Sequence, residues 1–350
     1  MVFTALYGWH KIKQLNTENK TTSVKLSLLI PFRNEEENLQ SLFVCLKKQT
    51  IKPFEIIFIN DHSTDGSSAF LEKAKSTLNN INVLENTGKQ GKKHALAFGL
   101  HYAKGDWIVQ TDADCILPEK WIETITNFIE NHNEKVFVSA AVAYSESNSF
   151  FNWFFELDFM SLVFTGAGFI GAGKPVFCNG ANMAYKREEA LKLNDPYFSA
   201  TPSGDDVFLM QQLAAKHKNR IAFLKSYEAI VRTKAPERVS DFMRQRIRWG
   251  SKAKHYKNGF AGFVSVVVFL TNLAMPLLYV PALSGYFDLI YAISFSAVKI
   301  TADILLLSIA AEFFRKTSLI ALIIPACVIY PFYIIVAAIA SVFVEAEWKK

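Results

Sequence analysis

Short apolar runs alternate with helical stripes through the first part of the chain. Lys25–Pro31 (KLSLLIP) has the pattern of a buried strand closed by proline. Asn34–Lys48 carries Leu39, Leu42, Phe43 and Leu46 at helical spacing. Phe54–Asn60 (FEIIFIN) is a second buried strand, followed by a polar turn from Asp61 to Gly66. The pattern further predicts a helix over Ser67–Leu78, a weak strand over Asn82–Glu85, a helix over Lys92–Ala103 and a strand over Trp107–Thr111. Strand–helix alternation of this kind implies an α/β domain with a mostly parallel sheet and helices on both faces. Ligands of such sheets sit at the carboxyl ends of the strands. Asp61 and Asp112 each follow a strand directly, so the two acidic turns are expected on one edge.

The pattern changes near Gly259. Asn258–Phe287 and Thr317–Val344 are uncharged runs, and Leu289–Ala311 between them is broken only by Lys299 and Asp303. Each exceeds the roughly 20 residues that cross a bilayer core. Residues 259–350 hold five basic and five acidic side chains, so the net charge of +6 belongs to residues 1–258. Three parts are expected: an N-terminal segment 1–24, an α/β domain 25–258, and a membrane domain 259–350 with about three transmembrane helices. Met1–Trp9 is apolar but too short to span, and reads as a frayed terminus or as the stub of a longer anchor. Lys299 and Asp303, one turn apart in the second run, either neutralise each other or serve a functional site. Cys45, Cys115, Cys178 and Cys327 show no paired spacing and read as buried thiols in a reducing compartment.

Four polar clusters carry candidate chemistry. Asp61, in NDHSTDGS, can accept hydrogen bonds from a ribose or base, or can belong to a helix-capping turn. Asp112-Ala113-Asp114 follows a strand; if the turn bends, both carboxylates can serve a divalent ion and a diphosphate, since oxygen ligands suit Mg²⁺ or Mn²⁺. Gly204-Asp205-Asp206 presents paired carboxylates, which raise each other's proton affinity as a general base requires, or else cap a helix from Val207. Gln245-Arg246-Ile247-Arg248-Trp249 supplies a guanidinium for phosphate and a flat ring for a sugar or base. Its setting, Val239–Ile247, also reads as an amphipathic helix lying on a membrane.

Taken together, LSLLIPFRNEEENL, FINDHSTDGS, GKQGKKHALAFGL, TDADC, CNGANMAYKR, GDDVFL and QRIRW stand in the order of a known family and cover about residues 25–250. The chain resembles a family-2 inverting glycosyltransferase of the GT-A fold, in the subset related to cellulose, chitin and hyaluronan synthases. The resemblance implies that Asp61 holds the uridine or ribose, that Pro31 and Arg33 lie beside the base, and that Lys92 lies near the base or the diphosphate. It implies that Asp112 and Asp114 contact the nucleotide and the metal, and that Asn179, Gly180 and Asn182 border the donor sugar. Asp206 matches the catalytic base. The family usually has Glu-Asp where this chain has Asp205-Asp206, which leaves Asp205 as the rival for that role. Gln245, Arg248 and Trp249 match Q-x-x-R-W, at the acceptor and pyrophosphate end.

The resemblance implies a single in-line displacement with inversion, a UDP-sugar as the expected donor, a divalent cofactor (Mg²⁺ or Mn²⁺) and a lipid-linked or polysaccharide acceptor in cell-envelope glycan synthesis. No nucleic-acid partner is expected. The basic collar Arg244–Lys257, with Arg315 and Lys316, places the catalytic domain on the cytoplasmic side of the cell membrane and Lys350 outside. A non-catalytic nucleotide-sugar-binding membrane protein and a transporter component are the alternatives. Processive and single-sugar transfer both remain open.

Overall fold

The computed structural model describes residues 1–350 except 16–22, 79, 147–148, 199, 202, 257 and 344–350. Lys257, Val344 and Lys350, named above for the collar, the third apolar run and the chain end, lie outside the described residues. The strands in chain order are β1 (Leu26–Phe32), β2 (Glu55–Asn60), β3 (Ile81–Glu85), β4 (Trp107–Gln110), β5 (Phe137–Ala140), β6 (Val142–Tyr144), β7 (Met183–Lys186), β8 (Ile221–Leu224) and β9 (Val231–Thr233). The helices are α1 (Val2–Lys11), α2 (Glu36–Lys47), α3 (Ser67–Ala74), α4 (Lys92–Tyr102), α5 (Trp121–Asn131), α6 (Asn152–Gly171), α7 (Arg187–Leu191), α8 (Asp205–Lys216), α9 (Val239–Gly250), α10 (Gly259–Leu277), α11 (Tyr279–Leu283), α12 (Leu289–Phe313) and α13 (Ile323–Phe343).

Seven strands form one sheet in the order β3-β2-β1-β4-β7-β5-β8, in which only β7 runs antiparallel to its neighbours. Strands β6 and β9 pair in parallel beside it. Every residue of β1, β2 and β4 is buried, which is why these strands read as continuous apolar runs rather than alternating ones. Pro31 sits in a central strand without breaking it. Pairing of β1 with β4 covers only Leu26–Leu29, so no donor is missing from that side at Pro31. Beyond Leu29 the two strands part, and the gap opens at the carboxyl edge.

The expected elements from Lys25 to Thr111 form close to their expected bounds, although α3 gives way to a 3₁₀ turn at Lys75. The antiparallel β7 was not anticipated. Residues 2–11 form a helix packed along α6 through a seam of small residues. A Cβ on Gly8 would fall 1.8 Å from the Gly168 carbonyl, and one on Gly171 would fall 2.2 Å from the Gly8 carbonyl. Trp9 closes the seam against Phe164 and Phe313, with ring centroids 4.5 and 4.8 Å away.

Four helical stretches are long and apolar enough to cross a membrane: Asn152–Gly171, Gly259–Leu283, Leu289–Phe313 and Thr317–Phe343. The last three match the apolar runs read from the sequence. The first, α6, was not anticipated, and 72% of its most apolar stretch is buried inside the protein, against 17–33% for the others. Its apolarity therefore serves the core. Lys299 and Asp303 pair at 2.6 Å within α12, as the neutralising reading expects. Lys316, in the turn after α12, lies 3.3 Å from Glu156 and brings that turn against α6. All four cysteines are free thiols.

Candidate active site

The acidic turns do meet at one edge, and a glycine-led loop joins them. Asp61, at the end of β2, accepts the Gly91 backbone N–H on both carboxylate oxygens (3.0 and 2.9 Å) and the Asn86 amide (3.0 Å). Gly91 has φ +132°, a region closed to most side chains, so the approach depends on glycine. The next residue, Lys92, opens α4 and lies 2.5 Å from Asp112 and 3.7 Å from Asp205. Burial disfavours the Lys92 ammonium, but the carboxylates of Asp112 and Asp205 outweigh it and hold the group above its ordinary range. On the same edge, Arg33 lies two residues past the buried Pro31; with the Gln90 amide assigned in the orientation its neighbours require, the two Arg33 Nη atoms donate to its oxygen at 3.1 and 3.0 Å.

Asp205 and Asp206 occupy the first turn of α8, where the unsatisfied N–H groups and the helix dipole favour negative charge. Gly204 caps the helix with φ +93°. Asp205 accepts from Gln110 Nε2 at 2.8 Å. Burial raises its proton affinity, but Lys92, Lys252 and the Gln110 amide outweigh that and leave the carboxyl below the usual carboxylate range. Asp206 accepts from the Gly180 N–H (3.0 Å) and from the Val207 N–H (2.8 Å), with Lys252 at 3.6 Å. A Cβ on Gly180 would stand 3.1 Å from Asp205 Oδ2 and 3.4 Å from the Asp206 Cβ, so a side chain there would press on the Asp205 carboxylate. Arg248, on α9, is largely buried; burial lowers its proton affinity, and Asp112, Asp205 and Asp206 partly restore it.

The Asp112–Asp114 stretch bends as a shared role requires, with the Cys115 N–H on the Asp112 carbonyl at 3.3 Å. The two side chains then take different partners. Asp112 faces Lys92, whereas Asp114 accepts from Thr233 Oγ1 of β9 at 3.3 Å. Among the described residues no three His, Cys, Asp or Glu side chains cluster closely enough to hold a metal ion. Asp112 and Asp114 are hard oxygen donors that suit Mg²⁺ or Mn²⁺ where substrate phosphates complete the coordination, so the residues fit an ion that binds together with a diphosphate.

Several expected residues are placed otherwise. Asn182 does not border a sugar: it is fully buried, accepts from Trp121 Nε1 (3.0 Å) and donates to the Ala141 and Ala229 carbonyls (both 2.7 Å). Its amide is spent on joining α5 and β5 to the segment before β9. Asn179 accepts from the Ala181 N–H at 3.0 Å and shapes the turn that aims Gly180 at Asp206. Gln245 accepts from the Tyr144 hydroxyl and from Arg246 Nη1, both at 2.7 Å. The Trp249 ring packs on the Arg246 guanidinium (4.4 Å) and near Phe159 (5.9 Å), a more enclosed setting than an open platform.

Three site residues escaped the sequence reading. Gln110 is a buried amide in a strand, and its Oε1 has no hydrogen-bond partner among the described residues. The polar end of WIVQ was its only signal. Lys252 lies three positions past Trp249, on the 3₁₀ turn after α9, and is seen only once that turn reaches the first turn of α8. Lys93 donates to the Phe198 carbonyl (2.6 Å) and Thr201 Oγ1 (2.8 Å), tying down the loop that leads to Asp205. Burial lowers its amine to about 8.

Comparison with known proteins agrees with this geometry. Residues 27–192 match the family model of Glycosyl transferase family 2. Glycosyltransferase GlyG of Streptococcus pneumoniae is 30% identical over 129 residues, 37% of this chain and 43% of the relative. The bactoprenol glucosyl transferase of Shigella phage SfV is 34% identical over 110 residues, 31% of this chain and 35% of the relative. The chain thus matches less than half the length of either relative. A mannosyltransferase from Pyrobaculum calidifontis, solved with GDP-Man and Mn²⁺, superposes with a TM-score of 0.58 at 19% identity, covering 95% of both chains. The fold is accordingly an α/β, GT-A-like domain with a mostly parallel sheet.

Proposed function

We propose that this chain, which carries a glycosyltransferase family 2 domain over residues 27–192, is a membrane-bound inverting glycosyltransferase. It takes a sugar from a nucleoside-diphosphate donor and adds it to a lipid-linked or glycan acceptor. The observation that carries this reading is the convergence of Asp112, Asp205 and Asp206 with Lys92 and Lys252 at the carboxyl edge of the sheet.

In this mechanism Asp206 is the base. Its backbone hydrogen bonds and the nearby Lys252 ammonium hold it in one orientation for an approaching acceptor hydroxyl. The acceptor oxygen attacks the anomeric carbon, its proton passes to Asp206, and the bond to the donor diphosphate breaks with its electrons moving to the leaving oxygen. One displacement inverts the anomeric configuration. Lys92 and Arg248 meet the growing negative charge from fixed positions. Asp112 and Asp114 would hold a divalent ion, which when bound neutralises diphosphate charge as a Lewis acid. Asp205 is a scaffold: its ion pair with Lys92 and its bond from Gln110 fix the first turn of α8. Asp61 and the Gly91 loop shape the nucleoside end, with Pro31 and Arg33 beside it.

Membrane attachment rests on the three poorly covered apolar stretches after Gly259. The basic residues of α9 and the turn after it, with Lys316 returning to the same body, support a cytoplasmic catalytic domain. The similarity to a bactoprenol glucosyl transferase supports a lipid-linked acceptor, and the Q-x-x-R-W match supports a synthase-like subset. The test is incubation of membranes containing the protein with a panel of UDP- and GDP-sugars, followed by mass spectrometry of lipid extracts. A donor-dependent hexose addition supports the reading; nucleotide-sugar binding without any product overturns it in favour of a binding protein.

A further inference from the structure

A chain of buried polar contacts runs from α13 to the candidate site. The Tyr333 hydroxyl donates to Asp158 Oδ1 of α6. The other carboxylate oxygen accepts from Arg246 Nε at 2.5 Å, and both side chains are almost wholly buried. Arg246 Nη1 donates to Gln245 Oε1 at 2.7 Å, and the same oxygen accepts from Tyr144. Tyr144 ends β6 and lies opposite Thr233 of β9, whose hydroxyl donates to Asp114 at 3.3 Å. The guanidinium of Arg246 is sandwiched by Phe242 (4.5 Å) and Trp249 (4.4 Å), so its plane is fixed as well as its charge.

The geometry of α9 gives this chain a consequence. Residues two apart on a helix project about 200° apart. With Arg246 locked onto Asp158, Arg248 is turned to the far side of α9, where Asp112, Asp205 and Asp206 act on it. A buried one-to-one ion pair is weak as a source of stability, and its best-attested use is to specify one arrangement over others. We propose that Asp158, braced by Tyr333, is a positioning residue that sets the rotation of α9 and thereby the placement of Arg248, making α13 a working part of the transfer site. The proposal rests on the transferase reading above. It concerns coupling between the apolar helix and the site, with no direct contact of Asp158 with substrate.

The test uses the full chain in detergent micelles and three variants: Tyr333→Phe, Asp158→Asn, and the double replacement Asp158→Leu with Arg246→Met. A misplacement of about 1 Å can cost about 10²-fold in rate. Tyr333→Phe is therefore expected to lower kcat by about 5- to 10-fold, and Asp158→Asn by about 10²-fold, with donor KM within about two-fold in both. The double variant, which replaces the pair by apolar side chains, should recover thermal stability and leave kcat low. Recovery of kcat together with stability would reduce the pair to packing and overturn the proposal. Hydrogen exchange across residues 239–250 is measured in the same samples. Faster exchange there in Tyr333→Phe supports the coupling, and unchanged exchange overturns it. If the native protein transfers no sugar, the transferase reading fails while the exchange data still decide the coupling.

Discussion

Two buried charge clusters in this protein have similar ingredients and different designs. At the carboxyl edge of the sheet, Asp112, Asp205 and Asp206 share Lys92 and Lys252, and backbone N–H groups of Gly180 and Val207 complete the set. Between α6 and α9, Asp158 and Arg246 form a one-to-one pair walled by Phe242, Trp249 and Tyr333. Burial and an opposite charge act on Lys92 and on Arg246 alike, and both are held above their ordinary proton affinity. A perturbed titration therefore does not separate a site from a strut. Location and stoichiometry do. The first cluster gathers several carboxylates and several cations at a strand-end crevice, where a cation or a phosphate-bearing partner can join them; the second is a single pair enclosed by aromatic rings.

The largest effect should come from removing metal. Chelation by EDTA is expected to abolish transfer, and Mg²⁺ or Mn²⁺ to restore it, with the thermal unfolding midpoint nearly unchanged because the enclosed pair needs no ion. Full activity in metal-free buffer would remove Asp112 and Asp114 from the role given to them.

Next comes the contrast within α8. Asp206→Asn should cut turnover by about 10²-fold or more, the scale for a general base, and leave donor binding nearly intact. Asp205→Asn should retain more turnover and lose more thermal stability, because it strips a buried carboxylate from Lys92 and Gln110. Calorimetric donor titration and melting curves on both variants decide this. A reversal of the two turnover effects would move the base to Asp205.

The second cluster should respond the other way round. Arg246→Met leaves Asp158 buried and unpaired, a change that costs about 3–5 kcal/mol where such pairs are broken from one side. Thermal unfolding in detergent should register it before any donor is added. A melting temperature equal to that of the native protein would mean that the pair is not closed to water.

The smallest expected effect is a pH dependence. Lys93 has an amine lowered to about 8 in the folded protein against an ordinary 10.5. Between these values the unfolded chain binds a proton that the folded chain has released, so stability rises with pH across that window. Melting of the native protein and of Lys93→Met at pH 7.5 and pH 10 should show the native protein gaining relative to the variant. A constant difference would place the Lys93 amine in a more watery setting.

What could be read before the structure follows the range of the interactions. β1, β2 and β4 were legible because a strand buried on both faces leaves an unbroken apolar run. The helix after Gly204 was legible because capping is local, although it starts at Asp205 rather than Val207; the partners of Asp61, Asn86 and Gly91, lie 25 and 30 positions away and were not legible. Asn182 was misplaced because its three partners, Trp121, Ala141 and Ala229, lie 41 to 61 positions away. Asp114 was legible beside Asp112 from adjacency, but its partner Thr233, 119 positions away, was not. α6 escaped because its aromatic and small residues carry no polar face to mark a boundary, and only its burial separates it from the apolar helices near the C-terminus.

The central claim is that the edge cluster, centred on Asp206, transfers sugar from a nucleotide donor. The most direct measurement is nucleoside-diphosphate release, with mass spectrometry of the lipid fraction, from membranes containing either the native protein or Asp206→Asn at equal abundance. Donor-dependent release with matching glycosylated product in the native sample, and a loss of about 10²-fold or more in the variant, is the predicted result. Equal release from both samples would contradict the account.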